Sequence, residues 1–168
     1  MDTNTIIIIG TGIAAYTLAR EFRKNNSVSA LIMISADDGS SYPKPVLSNA
    51  LTKGKTADQI ALFDAETMAK KLDAKIMTHT TVERIDTKQH QLKLSTGQIL
   101  PYKKCVLAVG ADTIPLPIEG DCTNEILSIN DLDDYTLFRQ KLNTAKKIAI
   151  VGPGLIGCEF ANDLADAG

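Results

Sequence analysis

The sequence predicts an α/β fold: a βαβ domain on a buried parallel sheet, an antiparallel β-meander inserted into it, and the start of a second βα unit of the same kind. Three observations predict it. A strand, glycine turn and helix open the chain; the same pattern returns near residue 150; and between them short β-rich segments follow one another at turn signals.

The opening pattern occupies residues 5–15. Ile6, Ile7, Ile8 and Ile9 form an unbroken β-branched run, too short for a helix and typical of a strand buried on both faces. Gly10-Thr11-Gly12 follows at once, and Ile13, Ala14, Leu18 and Phe22 mark the expected apolar face of a helix running to about Lys24. Gly-x-Gly-x-x-Ala has a physical job at such a junction. Gly10 allows the tight turn, Gly12 lets a pyrophosphate approach the backbone, and Ala15 is small enough for the helix to lie on the strand. The helix N-terminus offers unpaired N–H groups to phosphate. An ordinary βα turn with small residues is the plainer reading; the correct flanks put dinucleotide binding ahead of it.

Bulk properties narrow the rest. The chain has 168 residues, is 44% hydrophobic and 23% charged, and carries a net charge of −2, which describes a globular protein and argues against nucleic acid as partner. No apolar run approaches the ~20 residues of a membrane span, and no basic leader precedes Ile6, so a cytoplasmic protein with no membrane partner is expected. Cys105, Cys122 and Cys158 are widely separated and only His79 and His90 accompany them, so no metal site is expected. Cys105 and Cys158 read as buried small residues.

After the first helix, residues 30–34 read as a second buried strand, completing a right-handed βαβ unit. A ribose-binding acid is expected where this strand ends, yet the sequence there is Ser35-Ala36-Asp37-Asp38. The adenosine ribose is left to Ser35, a backbone group or Asp37, and no Arg follows to read a 2′-phosphate. Tyr42-Pro43-Lys44-Pro45 holds Lys44 on a rigid frame, and Pro45 starts a short helix over 46–51; composition alone reads Lys44 as an incidental surface lysine. Residues 53–56 are polar loop with no Walker spacing. Asp64 caps a helix over 65–72 with Met68, Ala69 and Leu72 on one face. The segments 75–78, 81–86, 91–95 and 98–100 form the β-rich tract, with Val82/Ile85 and Leu92/Leu94 inward and Thr96-Gly97 at a hairpin turn.

Residues 105–109 read as a third buried strand ending on Gly110-Ala111, where a cofactor can lie close. A Pro-rich extended stretch covers 113–120, and Asn130 or Asp131 caps a helix to about Leu142 whose stripe is Leu132, Tyr135, Phe138 and Leu142. Residues 147–157 then repeat strand, Gly152-x-Gly154-x-x-Gly157 and helix. Two such units imply two dinucleotides, a flavin and a nicotinamide being the natural pair because one accepts hydride from the other. The expected organisation is an FAD-binding domain over 1–113, a connecting loop and helix over 114–145, and the start of an NAD(H)-binding domain over 146–168. That last piece has no second strand to bury its face, so the chain is expected to be cut from a longer protein.

The residues resemble the pyridine nucleotide-disulfide oxidoreductase superfamily, and within it the rubredoxin reductase branch. The resemblance rests on Ile9-Gly10-Thr11-Gly12, Ala19-Arg20-Glu21-Phe22-Arg23-Lys24, Ala36-Asp37-Asp38-Gly39, Tyr42-Pro43-Lys44-Pro45-Val46-Leu47-Ser48, Asn130-Asp131-Leu132-Asp133-Asp134-Tyr135 and, most specific, Leu155-Ile156-Gly157-Cys158-Glu159-Phe160-Ala161-Asn162-Asp163-Leu164. It implies Rossmann-like domains, with FAD held over Ile9, Gly10, Thr11, Gly12, Ala15, Ser35, Ala36, Lys44, Pro45, Val82, Ala108 and Gly110. It implies NAD(H) at Gly152, Gly154, Gly157 and Glu159, with catalytic roles for Lys44 beside the flavin and Glu159 at the flavin–nicotinamide junction. From the residues alone, Glu159 reads as a helix-start carboxylate on the dipole. Related ferredoxin reductases carry Arg in place of Lys44 and Lys in place of Asn49, which favours rubredoxin as the acceptor. A ferredoxin or nitrite-type reductase and a non-catalytic FAD-binding fragment are the rival readings.

Overall fold

The computed structural model describes residues 4–168. In chain order its elements are β1 (Ile6–Ile9), α1 (Ile13–Asn25), β2 (Leu31–Ile34), a 3₁₀ turn (Lys44–Asn49), α2 (Ala57–Ile60), α3 (Ala65–Leu72), β3 (Lys75–Met77), β4 (Val82–Asp86), β5 (Gln91–Leu94), β6 (Ile99–Pro101), β7 (Lys104–Leu107), a second 3₁₀ turn (Thr123–Glu125), α4 (Leu132–Leu142) and α5 (Leu155–Ala167). They form two compact units: one runs to Tyr42 and resumes over Leu62–Gly110, and the other comprises Pro43–Ala61 and Ala111–Gly168.

The first unit is a parallel sheet in the order β3-β2-β1-β7 with a separate antiparallel sheet β4-β5-β6. Strand alternation divides the isoleucine run between two faces. Ile8, with Leu31 and Met33, faces Ala15, Tyr16 and Ala19 of α1 and Met68 and Leu72 of α3. Ile7 and Ile9, with Ile34, face Leu92, Leu94, Leu100 and Tyr102 from the antiparallel sheet and the chain just after it. Helices cover one face and the meander the other, so β1 needs apolar residues at every position. Each isoleucine fully removed from water contributes about 1.5–3 kcal/mol, and Ile7 and Ile8 are 0% and 1% exposed.

Several expectations change. The buried face of α1 is Ala15, Tyr16 and Ala19 with Phe22 half-buried, whereas Ile13 and Leu18 are 64% and 40% exposed. Close packing of this helix on β1 selects alanines, and bulkier apolar residues are turned outward. The first segment of the β-rich tract is not part of the meander: β3 pairs in parallel with β2, and only β4, β5 and β6 are antiparallel. The expected third buried strand is the sheet's edge strand β7, with Leu107 63% exposed, because only β1 pairs with it among the described residues. The helix expected over 46–51 is the 3₁₀ turn Lys44–Asn49.

In the second unit, Asp131 caps α4 by accepting from the Asp134 N–H at 2.8 Å, a contribution of about 1 kcal/mol in typical helices. Its stripe packs as expected: Tyr135 and Phe138 are buried, and Phe138 meets Phe160 of α5 edge-on at 5.7 Å. The short helix α2 was not expected. Thr56 and Gln59 form a capping box at its start, and that T-x-x-Q spacing was the available signal. Residues 147–151 form no strand and pair with none among the described residues, leaving Ile148, Ile150 and Val151 exposed. Strand propensity is local, but a strand forms only against a partner edge, and none is offered to this segment among the described residues. No helix among the described residues is long and apolar enough to cross a membrane.

Candidate functional site

The register of the parallel sheet builds the first part of the site. Ile9 aligns with Ile34 of β2 and with Leu107 of β7, so the three strands end level. Gly10 donates its N–H to the Ile34 carbonyl at 2.7 Å, and Ile9 accepts from the Ala108 N–H at 2.8 Å. Ile9, Gly10, Thr11, Gly12, Ser35, Ala36, Ala108 and Gly110 therefore gather at the carboxyl edge of one sheet, where ligands of parallel α/β sheets bind. Gly10 has φ +114°, and a Cβ on it would stand 2.1 Å from the Ala108 carbonyl oxygen. Only glycine fits there. At Gly12 an added Cβ would meet nothing within 4 Å, so the space over the turn is open.

Gly12 is the N-cap of α1, no side chain caps it, and no acid lies in the first turn. The first N–H groups of the helix have no partner within it and face that open space with the positive end of the dipole. Ala15 is fully buried against the strand. Val82 opens β4 and packs half-buried on the meander-side core. The turn fits a dinucleotide pyrophosphate.

At the end of β2 a side-chain relay replaces the single expected acid. Thr11 and Ser35 are each 4% exposed and hydrogen-bonded to each other at 2.5 Å. Ser35 donates to Asp37 Oδ1, which also accepts from the Gly39 N–H at 2.8 Å, so Thr11 is the donor to Ser35. The Ser35 hydroxyl is thus committed inside the protein. Asp37 is exposed, and its Oδ2 takes no hydrogen bond from a described residue. Asp37 Oδ2 is thus an available acceptor at the end of β2. Behind it, Tyr16 donates its hydroxyl to the Gly39 carbonyl at 2.5 Å. Burial, then the nearby Asp37 and Asp38 charges, push the Tyr16 phenol well above its ordinary value.

The second unit holds the other predicted residues. Its glycine turn repeats the backbone of the first: Gly152 has φ +113°, and Gly154 caps α5 at φ −73°, ψ 171°, against φ −66°, ψ 179° at Gly12. Gly154 also lacks a side-chain cap, and an added Cβ there would meet nothing within 4 Å. Gly157 lies so close to the turn that a Cβ would stand 2.4 Å from the Gly152 carbonyl oxygen. The turn therefore fits a second dinucleotide even though residues 147–151 pair with no strand among the described residues.

Lys44 and Pro45 open the 3₁₀ turn in this unit and are exposed. Glu159 is the fifth residue of α5 rather than a first-turn acid, and it meets a side chain: Ser48 Oγ lies 2.5 Å from its Oε2. Four residues on, Asp163 is 5% exposed and accepts the Leu51 N–H at 2.8 Å, the Thr52 N–H at 3.0 Å and the Thr52 hydroxyl. Sequence reasoning passed over Ser48 and Asp163; the one signal was the i, i+4 spacing of Glu159 and Asp163, which places both on one helix face. Cys158, expected buried, is exposed, its Sγ 3.8 Å from the Pro153 carbonyl, because this turn of α5 has no sheet packed on it. Cys105 is partly buried, and burial raises its thiol pKa.

Comparison with known proteins adds to this geometry. The family described as "Pyridine nucleotide-disulphide oxidoreductase" matches residues 4–168. A rubredoxin-NAD(+) reductase of Acinetobacter baylyi is 51% identical over 168 residues, covering 97% of this chain and 43% of that protein. A rubredoxin-NAD(+) reductase of Alcanivorax borkumensis is 44% identical over 163 residues, covering 97% and 42%. The crystal structure of NADH:rubredoxin oxidoreductase from Clostridium acetobutylicum superposes with a TM-score of 0.82 at 25% identity, over 98% of this chain and 42% of that one. The chain thus spans about two-fifths of the length of the curated relatives it matches.

Proposed function

Because the chain belongs to the pyridine nucleotide-disulphide oxidoreductase family, we propose that it supplies the FAD cradle and the first NAD(H)-binding turn of a cytoplasmic reductase passing electrons from NADH to rubredoxin. The observation that carries this reading is the duplicated turn: two uncapped helix N-termini, each entered through a glycine at φ near +113°, each with open space above it. One such turn binds one dinucleotide.

The Thr11–Gly12 turn and the first N–H groups of α1 would hold the FAD pyrophosphate, with Gly10, whose own N–H is bonded to the Ile34 carbonyl, allowing the turn, and Asp37 would accept from the adenosine ribose hydroxyls. Thr11 and Ser35 keep the Asp37 carboxylate in place. Gly152, Gly154 and Gly157 form the corresponding turn for NADH. When bound, FAD supplies the chemistry that the side chains lack, accepting hydride from NADH and releasing electrons one at a time. Lys44 and Glu159 are the charged side chains assigned to the reacting end: a lysine ammonium stabilises negative charge, and the carboxylate orients the nicotinamide. The three cysteines are free thiols, and none is assigned a part in electron transfer. The domain boundaries proposed are 1–113 for FAD, 114–145 for the connection and 146–168 for the start of the NAD(H) domain.

Anaerobic titration of the full-length polypeptide with NADH tests the reading. The expected result is loss of the oxidised flavin absorbance at one NADH per flavin, unaffected by thiol alkylation, followed by faster reduction of rubredoxin than of ferredoxin. A flavin that stays oxidised refutes the reductase; a preference for ferredoxin refutes the acceptor. Residues 1–168 alone are expected to bind FAD weakly at most and to oxidise no NADH.

A further inference from the structure

The helix that follows the second glycine turn is fastened to the segment after Lys44 by two of its carboxylates. Glu159 and Asp163 are one turn apart on α5, and both reach residues 48–52. Asp163 is the anchor. It is 5% exposed, and three donors converge on it: consecutive backbone N–H groups of Leu51 and Thr52, one on each oxygen, and the Thr52 hydroxyl. A buried carboxylate without such donors would be strongly unfavourable; with them it locks the backbone just past the 3₁₀ turn. A paired grip on two successive N–H groups also fixes the helix in rotation and translation.

Ser48 completes the arrangement. It is 4% exposed, and its hydroxyl lies between Glu159 Oε2 at 2.5 Å and the Pro45 carbonyl at 3.0 Å. A hydroxyl has one proton and two lone pairs. The shorter contact takes that proton, so Ser48 donates to the Glu159 carboxylate. Lys53, Cys158, Asp163 and Asp166 are the titratable groups sharing the adjoining cleft of about 460 Å³.

We propose that Ser48 and Asp163 are positioning residues for Glu159: Asp163 sets the register of α5 on residues 48–52, and Ser48 fixes the Glu159 side chain toward the reacting nicotinamide. This rests on the reading of Glu159 given above, so the test separates the two. In the full-length FAD-loaded enzyme, the rate of flavin reduction is followed against NADH concentration for Ser48→Ala, Ser48→Thr, Glu159→Gln, Asp163→Asn and Ser48→Ala combined with Glu159→Gln. Ser48→Ala is expected to lower the limiting rate about tenfold with half-saturation by NADH changed less than twofold, because one charge-assisted hydrogen bond is lost where binding is not. Ser48→Thr keeps the hydroxyl and is expected to restore most of the rate. The double variant is expected to be no slower than Glu159→Gln alone, the mark of residues acting through one another. Asp163→Asn is expected to reproduce the Ser48→Ala pattern with full flavin content.

An unchanged limiting rate in Ser48→Ala, equal impairment in Ser48→Ala and Ser48→Thr, or additive effects in the double variant would each overturn the proposal while leaving the reductase reading intact. A Glu159→Gln enzyme as fast as the wild type would remove the assigned role of Glu159 and the proposal with it. If Asp163→Asn fails to fold, the serine variants decide the question.

Discussion

Gly10→Ala tests the first glycine turn at the point where it is tightest. Two costs add. An L-residue at φ +114° occupies backbone space almost reserved for glycine, at about 1–3 kcal/mol. The new methyl would also stand 2.1 Å from the Ala108 carbonyl oxygen. That oxygen cannot swing away as a side chain would, because Ala108 is fixed by its N–H bond to Ile9 at 2.8 Å. Forcing β1 and β7 apart resembles overpacking a core, at about another 1–3 kcal/mol. The sum, about 2–6 kcal/mol, is a large share of a domain's 5–15 kcal/mol. Urea denaturation of the 168-residue chain followed by far-UV circular dichroism reads it. With a slope of about 2 kcal/mol/M, the midpoint should fall by about 1–3 M. Gly12→Ala is the control: its φ of −66° suits alanine and nothing lies within 4 Å, so its stability should stay within about 0.5 kcal/mol of wild type and its midpoint within about 0.25 M. FAD binding by the full-length polypeptide carrying Gly12→Ala should nonetheless fall, since the methyl enters the space assigned to the pyrophosphate. A Gly10→Ala protein with the wild-type midpoint would refute the steric reasoning, and a Gly12→Ala protein that binds FAD normally would refute the placement of the phosphates.

Two further outcomes follow from the end of β2. Tyr16→Phe should cost about 1–3 kcal/mol at neutral pH, since the buried Gly39 carbonyl loses its donor. Its pH signature is sharper. Folding raises the Tyr16 pKa, so the folded state keeps a proton that the unfolded state releases above its ordinary value of about 10. That stability is complete below about pH 10 and is lost as pH rises toward the folded value; Tyr16→Phe should lack the alkaline slope, and an identical slope in both proteins would exclude the assignment. Asp37→Asn should weaken FAD by about tenfold or more while leaving FMN, which has no adenosine ribose, unaffected; equal weakening of both flavins in a fluorescence titration would show that Asp37 only supports the loop.

What could be read in advance, and what could not, divides along the range of the interactions. Ile6 to Gly12, Asp64 and the Thr96-Gly97 turn announce themselves because neighbouring residues settle their conformation: a β-branched run, a cap, a glycine with positive φ. The buried face of α1 was misjudged by one position because hydrophobic periodicity rewards large residues. The helix instead lies close enough to β1 that Ala15 and Ala19 are fully buried while Ile13 and Leu18 face outward. Residues 147–151 have the composition of a strand and the exposure of a loop, because pairing depends on a partner that local sequence does not encode. Ser48 and Asp163 lie at the far end of this scale. Each contacts a residue 111 or 112 positions away, and a serine or an aspartate in isolation reads as surface. Yet a buried carboxylate must find donors, so an acid on the same helix face as a candidate site acid is the feature to search for in sequences of this kind. The glycine turns make a dinucleotide site legible; the residues that hold its reacting groups in register are polar, distant in sequence, and visible only once the chain has folded.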